Sequence, residues 1–310
     1  MLSLKRLSLV ALILGFAQIV FGAIVRITGS GMGCGDHWPK CHGAWFPPLD
    51  RPDLIIEITH RYLALALSLV IVWLVISAWL SRGETGVGGR GGVLRPSIVA
   101  AVLVVVAALL GAVTVRLLLN PLVVVAHLTI AISLLATLAL AHFRAGGLGA
   151  GAALVNGSPR TARSATLAVI LALITLMLGA LTANVPDAAV SCTGFPHCRE
   201  IVGEGASLVV HILHRIVAFL LFGHLLGIMI SVGKRDEPRA VKTAARVAFF
   251  AALVQVLIAA GMIEMSFPSV MRSLHQAVGT FVWLAIVTLA ILARHASTVK
   301  MDREPVRIAA

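Results

Sequence analysis

The chain has 310 residues, of which 59% are hydrophobic, 12% charged and 5% aromatic, and its mean hydropathy is +1.00. A soluble domain is about half apolar and about a quarter charged, so the composition excludes an ordinary soluble globular protein and describes a polytopic membrane protein surrounded by membrane lipids. A net charge of +12 would point to nucleic acid in a soluble chain, but here the basic residues sit in short loops between apolar runs and aromatic residues are scarce, so no nucleic-acid partner is expected.

A membrane-spanning helix needs ~20 mainly apolar residues. Eight such stretches follow one another, at 7–27, 56–80, 97–119, 122–143, 165–185, 207–232, 245–265 and 270–293. The first follows Lys5 and Arg6 as the core of a signal peptide would. It is longer than the usual h-region and lacks a clear A-x-A site, so it reads as a retained helix. It runs into "RITGSGMGCGDHWPKCHGAWFPP" (26–48), a polar loop with Cys34 and Cys41, before the second span. A counterpart loop at 186–206, between spans five and six, carries Cys192 and Cys198. Glycine-rich stretches at 83–92 and 146–157 predict flexible connectors. Seventeen of the 25 basic residues, among them Lys300, Arg303 and Arg307, fall on the side opposite the cysteine loops. The positive-inside rule therefore predicts a cell membrane protein with both termini cytoplasmic and both cysteine loops extracytoplasmic.

The two halves repeat. "LGFAQIVFGAIVRITGSGMGC" is echoed by "LITLMLGALTANVPDAAVSC", "ITHRYLA" (58–64) by "ILHRIVA" (212–218), and residues 109–131 align without gaps on 257–279. Four spans per repeat keep both halves in one orientation, so a pseudo-two-fold axis along the membrane normal is expected. The predicted fold is all-α, two four-helix bundles at 1–145 and 165–310 joined by a cytoplasmic linker at 146–164.

Ionisable groups inside a membrane are costly and are functional candidates by default. His60 and His127 stand in spans two and four, and His214 and His275 at the equivalent places in spans six and eight. Each is expected ~4–6 residues past its helix start, hence ~6–9 Å below the outer surface. Two imidazoles at matched depth on facing helices suit bis-axial ligation of a heme iron, one porphyrin per bundle. The competing reading is polar packing across helices. His224 has no partner by repeat and reads as structural, and His142 and His295 sit at helix ends where they can cap carbonyls. Arg61 and Arg215 follow the first histidine of each pair and are candidates for porphyrin propionates, with snorkelling to the headgroups as the alternative.

The repeat breaks one turn earlier. Glu57 precedes His60 on the same helical face, whereas its equivalent is His211. A carboxylate beside a porphyrin edge can accept a proton or stabilise positive charge; it would also be favoured merely by a helix N-terminus. The difference suggests that one site does chemistry and the other holds a permanent cofactor. For the cysteines, close spacing favours Cys34–Cys41 and Cys192–Cys198, on a disulfide-permissive side, although connectivity is open from sequence. Inert staples, a redox-active pair and a metal site at Cys34, His37, Cys41 and His42 are the alternatives.

The Thr-Gly-Ser-Gly run into Cys34, the Asp-x-Trp-Pro into Cys41, the "EITHR" turn, the four repeated histidines and the second cysteine loop together resemble the heme A synthase family, over essentially all eight spans. That family oxidises the methyl at porphyrin position 8 of heme O to a formyl group, giving heme A. The resemblance implies an oxidoreductase with heme O as substrate near His60 and His127, a resident heme b on His214 and His275, and Glu57 as the catalytic carboxylate in successive hydroxylations with water-derived oxygen. It also implies an outer-loop cysteine pair, Cys34 and Cys41, linked to activity. Heme O synthase is the partner it suggests, with an electron acceptor of unspecified identity and a homo-oligomer as further expectations. The rival readings are a di-heme b-type electron-transfer protein of the quinol oxidoreductase kind, a transporter with parallel repeats, and a membrane thiol oxidoreductase.

Overall fold

A computed structural model describes residues 3–35, 37–151 and 154–299; Asp36 of the Asp-x-Trp-Pro motif and the basic residues Lys300, Arg303 and Arg307 lie outside them. Eight helices follow in chain order: α1 (Leu4–Ile27), α2 (Pro52–Leu80), α3 (Leu94–Arg116), α4 (Pro121–Arg144), α5 (Pro159–Asn184), α6 (Gly205–Lys234), α7 (Arg239–Glu264) and α8 (Ser269–Thr298). All eight are long and apolar enough to cross a membrane. Inside lipid a helix satisfies its own backbone hydrogen bonds, which is why these apolar runs fold this way.

The helices begin where capping residues allow. Asn120 accepts from the Leu122 N–H and Ser158 from the Arg160 N–H, each followed by a proline at the first helical position. Pro52 and Asp53 start α2 four residues before the apolar run expected at 56, because a proline at the first position and a carboxylate in the first turn favour a start that hydropathy alone does not register. The connector expected at 146–164 is likewise shorter, since α5 begins at Pro159. The glycine-rich stretch at 83–92 is a folded turn rather than slack chain: Val93 and Leu94 donate to the Gly86 and Val87 carbonyls, and Val87 and Val93 are buried.

Neighbouring helices pack in sequence order, and in each half the first helix also packs on the fourth, α1 on α4 and α5 on α8. The halves meet through α1, α4, α5 and α8. Apolar contact gives helices no net drive in lipid, so close approach matters. Ala165, Ala168 and Ala172 of α5 are small and buried in the same cluster as Ile132, Leu135 and Leu138 of α4 and Ile286 and Leu289 of α8, and α5 contacts both helices. The Trp283 indole N–H donates to the Ile132 carbonyl, a buried 2.9 Å bond from α8 to α4.

Equivalent turns recur at the cysteine-loop end. Leu118 and Leu119 between α3 and α4, and Ser266 and Phe267 between α7 and α8, have positive φ. The Leu119 N–H donates to the Thr114 carbonyl and the Phe267 N–H to the Met262 carbonyl. At the other end Glu237 accepts from the Ser158 N–H and the Thr161 hydroxyl, and Ser8 bonds His142. His142 is thus tied to α1 by its ring, and the His295 ring lies edge-on to Phe143. His224 is a structural histidine bonded to the Ser164 carbonyl.

Trp283→Phe keeps an aromatic side chain but removes the pyrrole ring and with it the N–H that donates from α8 to α4. A loss of about 0.6 kcal/mol is expected, read as a lower unfolding midpoint in detergent at unchanged helical content; an unmoved midpoint would show that the bond does not contribute to the joint between halves.

Candidate functional site

Two short loops cross one end of the helices, from α1 to α2 and from α5 to α6. Disulfides Cys34–Cys41 and Cys192–Cys198 close them, with Cα atoms 4.5 and 5.3 Å apart. The metal alternative at Cys34, His37, Cys41 and His42 therefore lacks its thiolates: both sulfurs are consumed in the disulfide, and the His42 ring bonds the Gly33 carbonyl instead. A strand pair, β1 (Cys192–Thr193) and β2 (Glu200–Ile201), stiffens the second loop.

The first loop sits directly on α2. A Cβ at Gly33 would come within 2.8 Å of the Asp53 carbonyl oxygen, so only glycine lets the chain approach so closely. Cys34 and Cys41 are buried against Leu54 and Ile58 of α2. Glu57, 4% exposed, accepts a 2.7 Å hydrogen bond from the Cys34 N–H and forms an ion pair with Arg61 one turn further on. Arg61 also donates to the carbonyls of His37, Lys40 and Pro39, at 2.6, 2.9 and 3.2 Å. Carboxylate, guanidinium and disulfide loop form one connected unit. A buried carboxylate needs such partners, because its desolvation costs several kcal/mol.

The second loop is held in the same manner with one exchange. His211 donates from Nδ1 to the Ala188 carbonyl at 2.6 Å and accepts from Arg215 Nε at 2.8 Å. One nitrogen donates and the other accepts, as in a neutral imidazole. Arg215 also binds the carbonyls of Gly194 and Cys192, both at 2.8 Å. In addition, Arg199 pairs with Glu264 at the end of α7, and that carboxylate favours the charged guanidinium. Arg61 and Arg215 thus have a use that the sequence did not reveal. Closing each loop turns several main-chain carbonyls toward α2 or α6, and a guanidinium has enough donors to bind them together.

The four repeated histidines come together in pairs. His60 on α2 and His127 on α4 lie close enough for their charges to interact, and so do His275 on α8 and His214 on α6. Their depths differ from expectation. His127 and His275 stand six residues past their helix starts, but His60 and His214 stand eight and nine. That is ~9 Å against ~12–14 Å of helix rise. The partners still meet because α2 and α6 start two to three residues further from their histidines than α4 and α8 do from theirs. Phe21 stacks on His60 at 6.4 Å between centroids.

Side chains that the sequence reading passed over surround these rings. Gln18 of α1 places its amide nitrogen 3.3 Å from His60 Nε2 and donates to the His60 carbonyl at 3.2 Å. Gln255 of α7 does the same at His275, 3.1 and 3.2 Å from the ring nitrogens and 2.9 Å from the carbonyl. Tyr62 donates to the Trp45 carbonyl and packs against Phe46, fixing the far side of the first loop. The available signal was an uncharged amide within an apolar span, which is costly there for the same reason a histidine is. The nitrogens His60 Nδ1 and His127 Nδ1 are buried with no hydrogen-bond partner among the described residues. Two imidazoles brought together in each half, with unsatisfied Nδ1 atoms in the first, fit the donor set of a bis-histidine heme.

The family model described as cytochrome oxidase assembly protein, COX15-CtaA, matches residues 5–287. The heme A synthase of Staphylococcus aureus (strain bovine RF122 / ET3-1) is 31% identical over 262 residues, 82% of this chain and 84% of its own length. The heme A synthases of the JH9 and Newman strains are 46% identical over 82 residues, 26% of this chain and 27% of theirs.

Arg61→Ala leaves Glu57 buried with only the Cys34 amide and releases three loop carbonyls. Removing one partner of a buried pair costs of order 3–5 kcal/mol, so a lower melting temperature and faster proteolysis within 35–47 are expected. Arg61→Lys should recover only part of the loss, since an ammonium cannot reproduce the planar fork. Wild-type stability in Arg61→Ala would show that the unit does not hold the loop.

Proposed function

The chain belongs to the heme A synthase (COX15-CtaA) family, and from that premise we propose that it is an oxidoreductase that converts the position 8 methyl of heme O to the formyl group of heme A. The half made by α1–α4 takes the substrate, between His60 and His127. The half made by α5–α8 holds a resident heme b on His214 and His275. When bound there, heme b supplies a one-electron relay to an acceptor outside the chain. The protein lies in the cell membrane with its cysteine loops extracytoplasmic, and heme O synthase is the proposed source of substrate.

The observation that carries this division is the exchange of Glu57 for His211 in otherwise equivalent loop anchors. Glu57 lies three residues before His60, on one face of α2. Its carboxylate is fixed by the Cys34 amide and by Arg61, so its negative charge needs no reorganisation when positive charge develops at the substrate methyl. It is also the base to which an attacking water can give its proton. Two such hydroxylations give a geminal diol, which loses water to the aldehyde. Each takes its oxygen from water and releases electrons and protons. His211 already donates one ring nitrogen to Ala188 and accepts from Arg215 with the other, so the second half offers no free base at this point. The closed first loop, with Cys34 and Cys41 buried, keeps bulk water from that carboxylate.

Two measurements test the reading. Glu57→Ala should lower the yield of heme A, extracted after expression in a heme O-producing host, by at least about a hundredfold, with heme O accumulating; a wild-type yield would remove Glu57 from the chemistry. His214→Ala or His275→Ala should abolish the low-spin heme b spectrum of the purified protein, and an unchanged spectrum would remove the second-half assignment. Wild-type protein that returned only heme O would favour the di-heme electron-transfer alternative.

A further inference from the structure

Two arginines at the seam between the halves take no part in the loop anchors. Arg26 lies in the last turn of α1 and Arg272 near the start of α8, one in each half and both at the cysteine-loop end. Both are half-buried. Arg26 Nη1 donates to the Ala183 carbonyl of α5 at 3.3 Å, and the two guanidiniums lie close enough for their charges to interact. Neither forms an ion pair among the described residues. The arrangement is costly as it stands. Like charges repel strongly where water does not screen them, and a cation near the start of a helix opposes the helix dipole. No acidic residue stands in the first turn of α8 to offset it.

The repeat shows that the fold does not need them. Gly22 and Gly179 are equivalent seats for the first histidine of each pair: a Cβ would lie 3.0 Å from His60 Cε1 at the one and 2.9 Å from His214 Cε1 at the other. Counted from these glycines, Arg26 corresponds to Ala183, and Arg272 corresponds to Val124. Arg26 therefore donates to the main chain of its own counterpart, and the other copy of the scaffold carries small or apolar side chains at both places. What the two arginines share is the second pair of histidines. Ala183 lies one turn beyond Gly179 toward the loops, and Arg272 lies one turn before His275 on one face of α8. The two cations thus stand just outward of His214 and His275. Arg215, the cation first expected there, is committed to the carbonyls of Gly194 and Cys192.

We propose that Arg26 and Arg272 together bind a propionate carboxylate of the heme held by His214 and His275, so that the first half contributes a residue to the cofactor site of the second. This rests on the placement of heme b in the second half. A carboxylate between the guanidiniums removes their repulsion and accepts charge-assisted hydrogen bonds from both. A phosphate would satisfy them by the same chemistry, but the place of both cations one turn outward of the ligating histidines favours an anion carried by the porphyrin over one from a lipid headgroup. The same two cations oppose the additional positive charge of ferric iron, and so hold the midpoint potential of the bound heme up.

Masking either side of the contact tests it. Full-length protein in detergent is loaded with heme b or with its dimethyl ester, which has no free carboxylate. The signal lost in His275→Ala is read for its midpoint potential and for its rate of transfer to excess apomyoglobin. Wild-type protein should lose the ester at least about tenfold faster than heme b. Protein with Arg26→Ala and Arg272→Val, the residues of the other copy, should lose heme b as fast as the wild type loses the ester, show no further loss with the ester, and lower the potential of bound heme b. Arg26→Gln with Arg272→Gln, which keeps side-chain bulk, should behave alike. Variants that speed loss of heme b and ester by the same factor would show a packing role and overturn the inference. Equal loss of the two pigments from the wild type, or rates and potential unmoved in both double variants, overturns it as well and leaves the heme placement standing. A melting temperature raised by phosphatidylglycerol but not phosphatidylcholine in the wild type alone, with heme loss unchanged in the variants, assigns the arginines to a lipid phosphate instead. Absence of any His275-dependent heme signal overturns the second-half placement itself, and the inference with it.

Discussion

A carboxylate placed inside an apolar helix bundle must be hydrogen-bonded and paired on the spot, and most of what surrounds Glu57 follows from that need. Water is not there to solvate it, so the protein supplies a backbone N–H from Cys34 and a guanidinium from Arg61. The first partner requires a loop that folds back onto α2, which the close approach at Gly33 permits. The second partner has donors left over, and these gather the loop carbonyls of His37, Pro39 and Lys40. The disulfide, the loop and the charged pair therefore act as one piece, and the carboxylate's position is set by the loop as much as by its own helix.

The internal repeat makes the departures informative. Arg215 holds the second loop by its carbonyls as Arg61 holds the first, and it has a histidine rather than a glutamate beside it. The second loop is also pinned to α7 through Arg199 and Glu264, where the repeat puts Arg116 in the first half. Gln18 and Thr175 differ again beside the histidines. These exchanges around one shared scaffold separate a half whose loop anchor is a buried carboxylate from a half whose loop anchor is a histidine and whose loop is also tied to α7. Packing imposes the common frame, and short polar contacts distinguish its two uses.

Some of this was legible in advance. Eight spans could be counted because lipid forces continuous apolar helices, and the pairs His60–His127 and His214–His275 followed from register in the repeat. Glu57 and His211 were visible as a break in that repeat. The loop-anchoring contacts of the arginines were not legible in the sequence, since snorkelling, propionate binding and loop anchoring all begin from the same residue type at the same helix position. The glutamines were overlooked because neither has a counterpart in the other half: the repeat puts Thr175 opposite Gln18 and Ala107 opposite Gln255.

The sequence by itself determined the number and order of the helices, the two cysteine loops, and which histidines belong together, because these depend on hydropathy and spacing along one chain. Only the tertiary structure decided that the Cys34 amide meets Glu57, that Arg61 and Arg215 bind the loops, and that Gln18 and Gln255 reach the histidine rings. Those contacts depend on the rotation and axial offset of one helix against another, fixed by close packing at residues such as Ala168 and Leu135. A helical period says which residues share a face, and the packing says what that face meets.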